Sequence, residues 1–106
     1  MYYVYMIECA NGAYYTGYTT DIERRYQEHC AGSLKCKYTR SFPPVKLAAY
    51  WEIDSGLSDV LKIEAFIKKL TKIKKRLIIS DASLLLAMLS EKEMLATIEN
   101  NKIRIR

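Results

Sequence analysis

Tyr2 to Glu8 carries aromatic and β-branched residues at both parities, so neither side of the stretch suits water and it predicts a strand covered on both faces. It ends at Asn11-Gly12, the strongest short hairpin signal, and Tyr14-Tyr15-Thr16-Gly17-Tyr18 after it predicts a second, antiparallel strand. Thr20-Asp21-Ile22-Glu23 fits a capping box with Thr20 as the cap. Ile22, Tyr26, His29 and Cys30 then form a modestly apolar stripe at i, i+4, i+7 and i+8, and Gly32 is placed to end this helix.

From Ser33 to Pro44 the chain is polar and basic and is expected to be a loop, closed by Pro43-Pro44. Val45 to Ile53 predicts a third strand, followed by an Asp54-Ser55-Gly56 turn. Ser58 is positioned to cap a helix whose buried face is Val60, Ile63, Ile67 and Leu70. Thr71 reads as a fresh N-cap for a short basic helix from Lys72 to Ile79. Leu84, Leu85, Met88 and Leu89 predict one amphipathic helix, and Ser90-Glu91-Lys92-Glu93 before Met94, Leu95 and Ile98 predicts another, with the last few residues fraying.

With 106 residues the chain suits one shared core. No apolar run approaches the roughly 18 residues that cross a bilayer, so no membrane partner is expected. The N-terminus lacks a basic leader region, which points to the cytoplasm. Cys9, Cys30 and Cys36 show no metal-binding spacing and are expected to be reduced thiols. The net charge of +5 is uneven: residues 1–80 hold 13 Lys or Arg against 8 Asp or Glu, and residues 81–106 hold 4 of each. A positive field confined to one part of the chain favours a polyanionic partner, and a solubilising surface explains it equally well.

The order strand, turn, strand, helix, with tyrosines in both strands, resembles the GIY-YIG nuclease superfamily, in particular its small bacterial stand-alone proteins. Tyr3-Val4-Tyr5 stands where that family has G-I-Y, and Tyr15-Thr16-Gly17 where it has Y-I-G. Tyr3 replaces the glycine of the first triplet and Thr16 the isoleucine of the second. The stretch from Tyr15 to Arg25 is similar to the second motif running into the family's arginine helix. Lys37-Tyr38-Thr39-Arg40 and Glu64-Ala65-Phe66-Ile67-Lys68 resemble downstream segments of the stand-alone branch. The resemblance covers about residues 2–80. It implies an α+β fold with a small three-stranded antiparallel sheet flanked by helices and a GIY-YIG-like domain over 1–80; beyond it, the periodicity of 81–106 predicts extra C-terminal helices packed on the same domain. That tail is also a place where a protein partner or a second copy could bind.

The hairpin register tests whether the two tyrosines can share a site. A two-residue turn at Asn11-Gly12 would set Tyr5 opposite Tyr18 and send Tyr15 to the other face. A three-residue loop, Ala10-Asn11-Gly12 with Gly12 left-handed, pairs Tyr5 with Gly17 and Ile7 with Tyr15, making Tyr5 and Tyr15 diagonal neighbours with space beside the Tyr5 ring. The three-residue loop is expected.

On that basis the resemblance implies that Tyr5 positions or deprotonates the attacking water, with Tyr15 as its hydrogen-bonding partner. A free phenol titrates near about 10, so base work at neutral pH requires a nearby cation or metal. The plain alternative is two packed aromatics among nine tyrosines. Arg25, eight residues after Gly17 like the family arginine, suits a phosphate gaining charge. Surface pairs Asp21–Arg25 and Arg24–Glu28 are the competing roles for the two arginines. His29 matches a histidine of the stand-alone branch and is either a phosphate contact or proton relay, or structural.

Glu64, the sole acidic residue between Leu61 and Ser80, is the implied anchor for Mg²⁺ or Mn²⁺ bound mainly with substrate, against a simple pair with Lys68. Arg24, Lys35, Lys37, Arg40, Lys68, Lys69 and Lys72 are placed to track a nucleic-acid backbone, with Tyr38 as a stacking face. Three functions follow: a metal-dependent DNA endonuclease selective for structure over sequence, a catalytically silent or partner-dependent DNA-binding module, and a protein-interaction domain with an incidental basic surface.

Overall fold

The computed structural model describes residues 1–91 and 103–105. Along the chain run β1 (Tyr2–Cys9), β2 (Tyr14–Thr19), α1 (Ile22–Cys30), α2 (Lys37–Ser41), β3 (Pro44–Ile53), α3 (Leu57–Lys68), α4 (Lys72–Ser80), α5 (Leu84–Glu91) and β4 (Ile103–Ile105). The sheet order is β2-β1-β3-β4, antiparallel throughout. The predicted three strands are therefore present, as an α+β fold.

β1 lies between β2 and β3 and is buried on both sides, as its two-parity apolar pattern requires. Val4 and Met6 join Trp51, Ile53, Val60, Ile63, Ile67, Ile78, Leu85 and Leu89 in the larger core. Tyr5, Ile7 and Cys9 face the other way, against Tyr15, Ile22, Tyr26, Leu47 and Tyr50. Thus α1 covers one face of the sheet, and α3, α4 and α5 cover the other. The Trp51 indole N–H donates to the Ala82 carbonyl at 3.0 Å, which ties β3 to the linker before α5. Leu85 and Leu89 of α5 are fully buried, so this part of the tail completes the core.

Several expectations are corrected. The α1 cap is Asp21, not Thr20: its extended backbone precedes the first helical residue and its carboxylate accepts the Arg24 N–H at 3.1 Å. A negative charge at that end also complements the helix dipole. The cap of α3 is Gly56 rather than Ser58, because the Gly56 carbonyl already accepts the amides of Asp59 and Val60. Thr71 does cap α4, accepting from Lys74 N–H.

The stretch read as a loop holds the short helix α2. Tertiary contacts override its polar composition: Thr39 is buried and bonded to His29, and the Tyr38 ring stacks on Tyr15. At the C-terminus, Ile103–Ile105 pairs with Trp51–Ile53 as β4 instead of fraying, since the outer edge of β3 offers unpaired backbone groups. The second tail helix expected around Met94, Leu95 and Ile98 lies outside the described residues. All three cysteines are free, Cys9 and Cys36 buried and Cys30 exposed. Among the described residues, no helix is long and apolar enough to cross a membrane.

Candidate active site

The hairpin adopts the three-residue loop. Cys9 and Ala13 close it through a 2.9 Å backbone bond, and Gly12 sits at φ +82°, where a side chain would be strained. Tyr5 consequently pairs with Gly17 and Ile7 with Tyr15. The Tyr5 and Tyr15 rings share one face, with centroids 6.3 Å apart. The absent side chain of Gly17 matters sterically: a Cβ there would stand 2.6 Å from the Tyr5 Oη.

β2 is an edge strand, and an open cleft of about 480 Å³ runs over it. Tyr5, Tyr15, Gly17, Tyr18 and Thr19 line its floor. Arg24, Arg25 and Glu28 enter from α1 on one face of the sheet, and Glu64 enters from α3 on the other. Lys35 completes the rim. An edge strand can gather groups from both layers in this way because no strand among the described residues pairs with its outer side.

The hydroxyl of Tyr5 meets His29 Nε2 at 2.8 Å, so its partner is His29 and not Tyr15 as expected. Tyr15 instead packs its ring against His29, at 5.0 Å between centroids, and stacks on Tyr38. His29 Nδ1 contacts Thr39 Oγ1 at 2.6 Å, and the Thr39 hydroxyl donates to the Cys36 carbonyl at 3.3 Å. Burial pushes the Tyr5 phenol up to about 12, against the lowering pull of the Arg25 guanidinium. Burial, helped by the charge of Arg25, lowers His29 to about 4, so its imidazole is neutral at pH 7.

Neither anticipated pair of α1 forms. Arg25 bridges to Glu28 at 3.3 Å, one turn along the same face, while Asp21 is occupied with the Arg24 backbone. Glu64 pairs with Lys68 at 3.3 Å, and its side chain is only 14 % exposed. The structure thus brings Tyr5, Tyr15, Arg24, Arg25, Lys35 and Glu64 to one cleft, with His29 buried directly behind Tyr5. Lys37 and Arg40 are exposed on α2, and Lys68 and Lys69 are exposed at the end of α3. Lys72 lines a separate shallow pocket with Lys75, Asn11 and Tyr14 near the hairpin tip. Tyr38 is poorly placed as a free stacking platform, because Tyr15 and Phe42 already flank its ring and its hydroxyl accepts from Asn11.

Thr39 and Glu28 are site residues that sequence reasoning did not single out. Glu28 was weighed only as a partner for Arg24. Thr39 lies within a quoted family segment, yet nothing local marks it, because its partner is ten residues away on a different helix.

A cluster of this kind on an α+β hairpin scaffold defines the class, and the chain belongs to the GIY-YIG family: residues 1–76 match the GIY-YIG catalytic domain. Membership of that family points to a nuclease-type function on nucleic acid. Among its relatives it is similar to the UPF0213 protein of Syntrophus aciditrophicus, 51% identical over 73 residues, which span 69% of this chain and 83% of that protein. It is 48% identical to the UPF0213 protein of Halobacterium salinarum over 75 residues, 71% of this chain and 95% of that one. A solution NMR structure of the UPF0213 protein from Bacillus halodurans is 41% identical, covers 76% of this chain and 84% of that chain, and gives a TM-score of 0.48.

The buried imidazole carries a stability consequence independent of function. His29 titrates near 4 when folded against 6.5 in its ordinary state, so between these values the unfolded chain binds the extra proton. Stability is therefore complete above pH 6.5 and is lost as pH falls towards 4, by up to about 3 kcal/mol from this group. Urea unfolding of wild type and His29→Gln at pH 7 and pH 4 should show the steeper acid loss in the wild type. Equal losses in the two proteins would refute the buried neutral imidazole.

Proposed function

We propose that the chain is a metal-dependent DNA endonuclease that hydrolyses phosphodiester bonds and selects its substrate by structure more than by sequence. The observation that carries this reading is the single open cleft in which Tyr5, backed by His29, faces the same space as Arg25 and Glu64. Tyr5 is 1 % exposed and its pKa is high, so it serves as a phenol that passes a proton on and not as a standing phenolate. A water attacking phosphorus gives its proton to the Tyr5 Oη as the proton already there moves to His29 Nε2. The P–O bond to the leaving group then breaks, and the departing oxygen takes its proton from solvent. Arg25 stabilises the added negative charge on the phosphoryl oxygens through paired N–H donors.

Among the described residues no cluster of three or more acidic, histidine or cysteine side chains could cage a metal. Of the two cleft carboxylates, Glu28 is bridged to Arg25, and that of Glu64 fits a Mg²⁺ or Mn²⁺ ion that keeps most of its waters and takes other contacts from the substrate phosphate. Such an ion would supply charge neutralisation at the scissile phosphate. Arg24 and Lys35 at the cleft, with the exposed Lys37 and Arg40 on α2, Lys68 and Lys69 at the end of α3 and Lys72 near the hairpin tip, supply backbone contacts, and no base-reading pattern accompanies them.

A second reading, a DNA-binding module with a silent site, is favoured by the burial that raises the Tyr5 phenol. Incubating branched, single-stranded and duplex DNA with Mg²⁺ or Mn²⁺ separates the two. The nuclease reading expects metal-dependent cleavage that Arg25→Ala and Glu64→Ala each lower by about a hundredfold. Salt-sensitive binding with no cleavage under any of these conditions supports the silent module, and cleavage unchanged in both variants assigns the activity to another site or a contaminant.

A further inference from the structure

The hydrogen bonds behind the cleft allow every proton to be placed. The Thr39 hydroxyl has one proton, which goes to the Cys36 carbonyl, so Thr39 Oγ1 accepts from His29 Nδ1–H. The Tyr5 O–H is then directed to His29 Nε2, His29 Nδ1–H to Thr39 Oγ1, and the Thr39 O–H to the Cys36 carbonyl. Each donor in this one-way series has an acceptor, and each bond polarises the next. In the opposite arrangement Thr39 would donate to Nδ1, and Nε2–H would donate to Tyr5. The Cys36 carbonyl would then lose the threonine donor, and the Tyr5 O–H, on a side chain that is 1 % exposed, would lose its acceptor on His29.

We propose that Thr39 is a positioning residue that fixes the tautomer of His29, holding the proton on Nδ1 so that Nε2 faces the Tyr5 hydroxyl as an acceptor. α2 is thereby a support for the site's proton path, held in place by the Tyr38 ring stacked on Tyr15 and by Thr39, which is 1 % exposed beneath the cleft wall. The tautomer assignment stands on geometry alone. Its catalytic consequence rests on the nuclease reading above: with the proton on Nε2 instead, His29 could not take up the proton that Tyr5 releases.

His29 is the only histidine of the chain, so nitrogen-15 NMR of the full-length protein reports its two ring nitrogens without overlap. In wild type at pH 7 the expected pattern is a protonated Nδ1 and a bare Nε2. Thr39→Ser, which keeps the hydroxyl, is expected to preserve it. Thr39→Val, which leaves Nδ1–H without an acceptor, is expected to shift the proton to Nε2 wholly or in part. Where cleavage is measurable, Thr39→Val lowers kcat at least about tenfold with KM unchanged, and Thr39→Ser restores it. An Nε2–H tautomer in the wild type, or an unaltered Nδ1–H tautomer in folded Thr39→Val, overturns the proposal. The wild-type spectrum alone can do so even if the valine variant does not fold. The expected tautomers in a protein that cuts no DNA would support Thr39's positioning role while removing the nuclease reading.

Discussion

Tyr5→Phe is expected to reduce cleavage by about 10²- to 10⁴-fold, the range over which a positioned proton-transfer group contributes, while the protein remains folded. The substitution removes one atom, the Oη bonded to His29 Nε2. The ring keeps its contacts with Tyr15 and His29, so the loss is chemical and not one of packing. The variant leaves the buried Nε2 without its donor, which costs about 1–3 kcal/mol. Thermal unfolding should register that loss as a lower Tm in a transition that stays cooperative. Single-turnover cleavage at saturating metal separates this defect from weaker binding. A Tyr5→Phe protein that cut at the wild-type rate would show that no proton passes through this hydroxyl.

Gly17→Ala is expected to damage both stability and activity although it adds only a methyl group. The new Cβ would lie 2.6 Å from Tyr5 Oη, 2.8 Å from Tyr5 Cζ and 3.2 Å from Tyr15 Cε2. The backbone at Gly17 does not need the left-handed region, so the conflict is purely steric. Tyr5 is buried and cannot swing away cheaply. Either the strand pair shifts or the phenol leaves His29, and overpacking of this sort costs about 1–3 kcal/mol. Denaturant unfolding should show that loss together with a cleavage defect as deep as that of Tyr5→Phe. In a Tyr5→Phe background the closest contact is gone, so the stability penalty of Gly17→Ala should shrink, a non-additivity expected only of touching residues. Equal penalties in both backgrounds would sink the steric account.

A second glycine, Gly12, shows how far local signals reach. Asn11-Gly12 announces a hairpin, but two loop lengths fit it, and they place Tyr15 on opposite faces of the sheet. The requirement that Tyr5 and Tyr15 meet selected the three-residue loop, which the structure contains. Arg25 was legible because its spacing from Gly17 is fixed by a short strand end and the first turn of a helix. Glu64 was legible from its family segment, and the structure shows why it can matter. Its helix packs on the far side of the sheet from α1, and only the open edge of β2 lets it reach the same cleft.

The basic stretch before Pro43 was the least legible segment. Its lysines and arginine suggest a solvated loop that touches nucleic acid, whereas its most consequential contacts are inward, from Thr39 to His29 and from Tyr38 to Tyr15. A short helix with little intrinsic stability exists there because other elements hold it. The displaced helix caps at Asp21 and Gly56 belong to the same limit, since several neighbouring residues are chemically able to cap and the final choice depends on where the helix docks.

By itself, the sequence determined the strands β1 to β3 and the helices α1, α3, α4 and α5, that β1 is covered on both faces, and that Tyr5, Tyr15, Arg25, His29 and Glu64 are the residues to examine. The elements follow from side-chain periodicity, turn chemistry and short-range spacing, which act over a few residues, and the site residues from the resemblance to the GIY-YIG family. Only the tertiary structure decided that Tyr5 bonds to His29 instead of Tyr15, that Thr39 stands behind that histidine, that β4 closes the far edge, and that burial holds the phenol at about 12 and the imidazole at about 4. Those outcomes depend on which groups meet across long loops and how much water remains between them, and neither quantity is encoded in any local stretch of the chain.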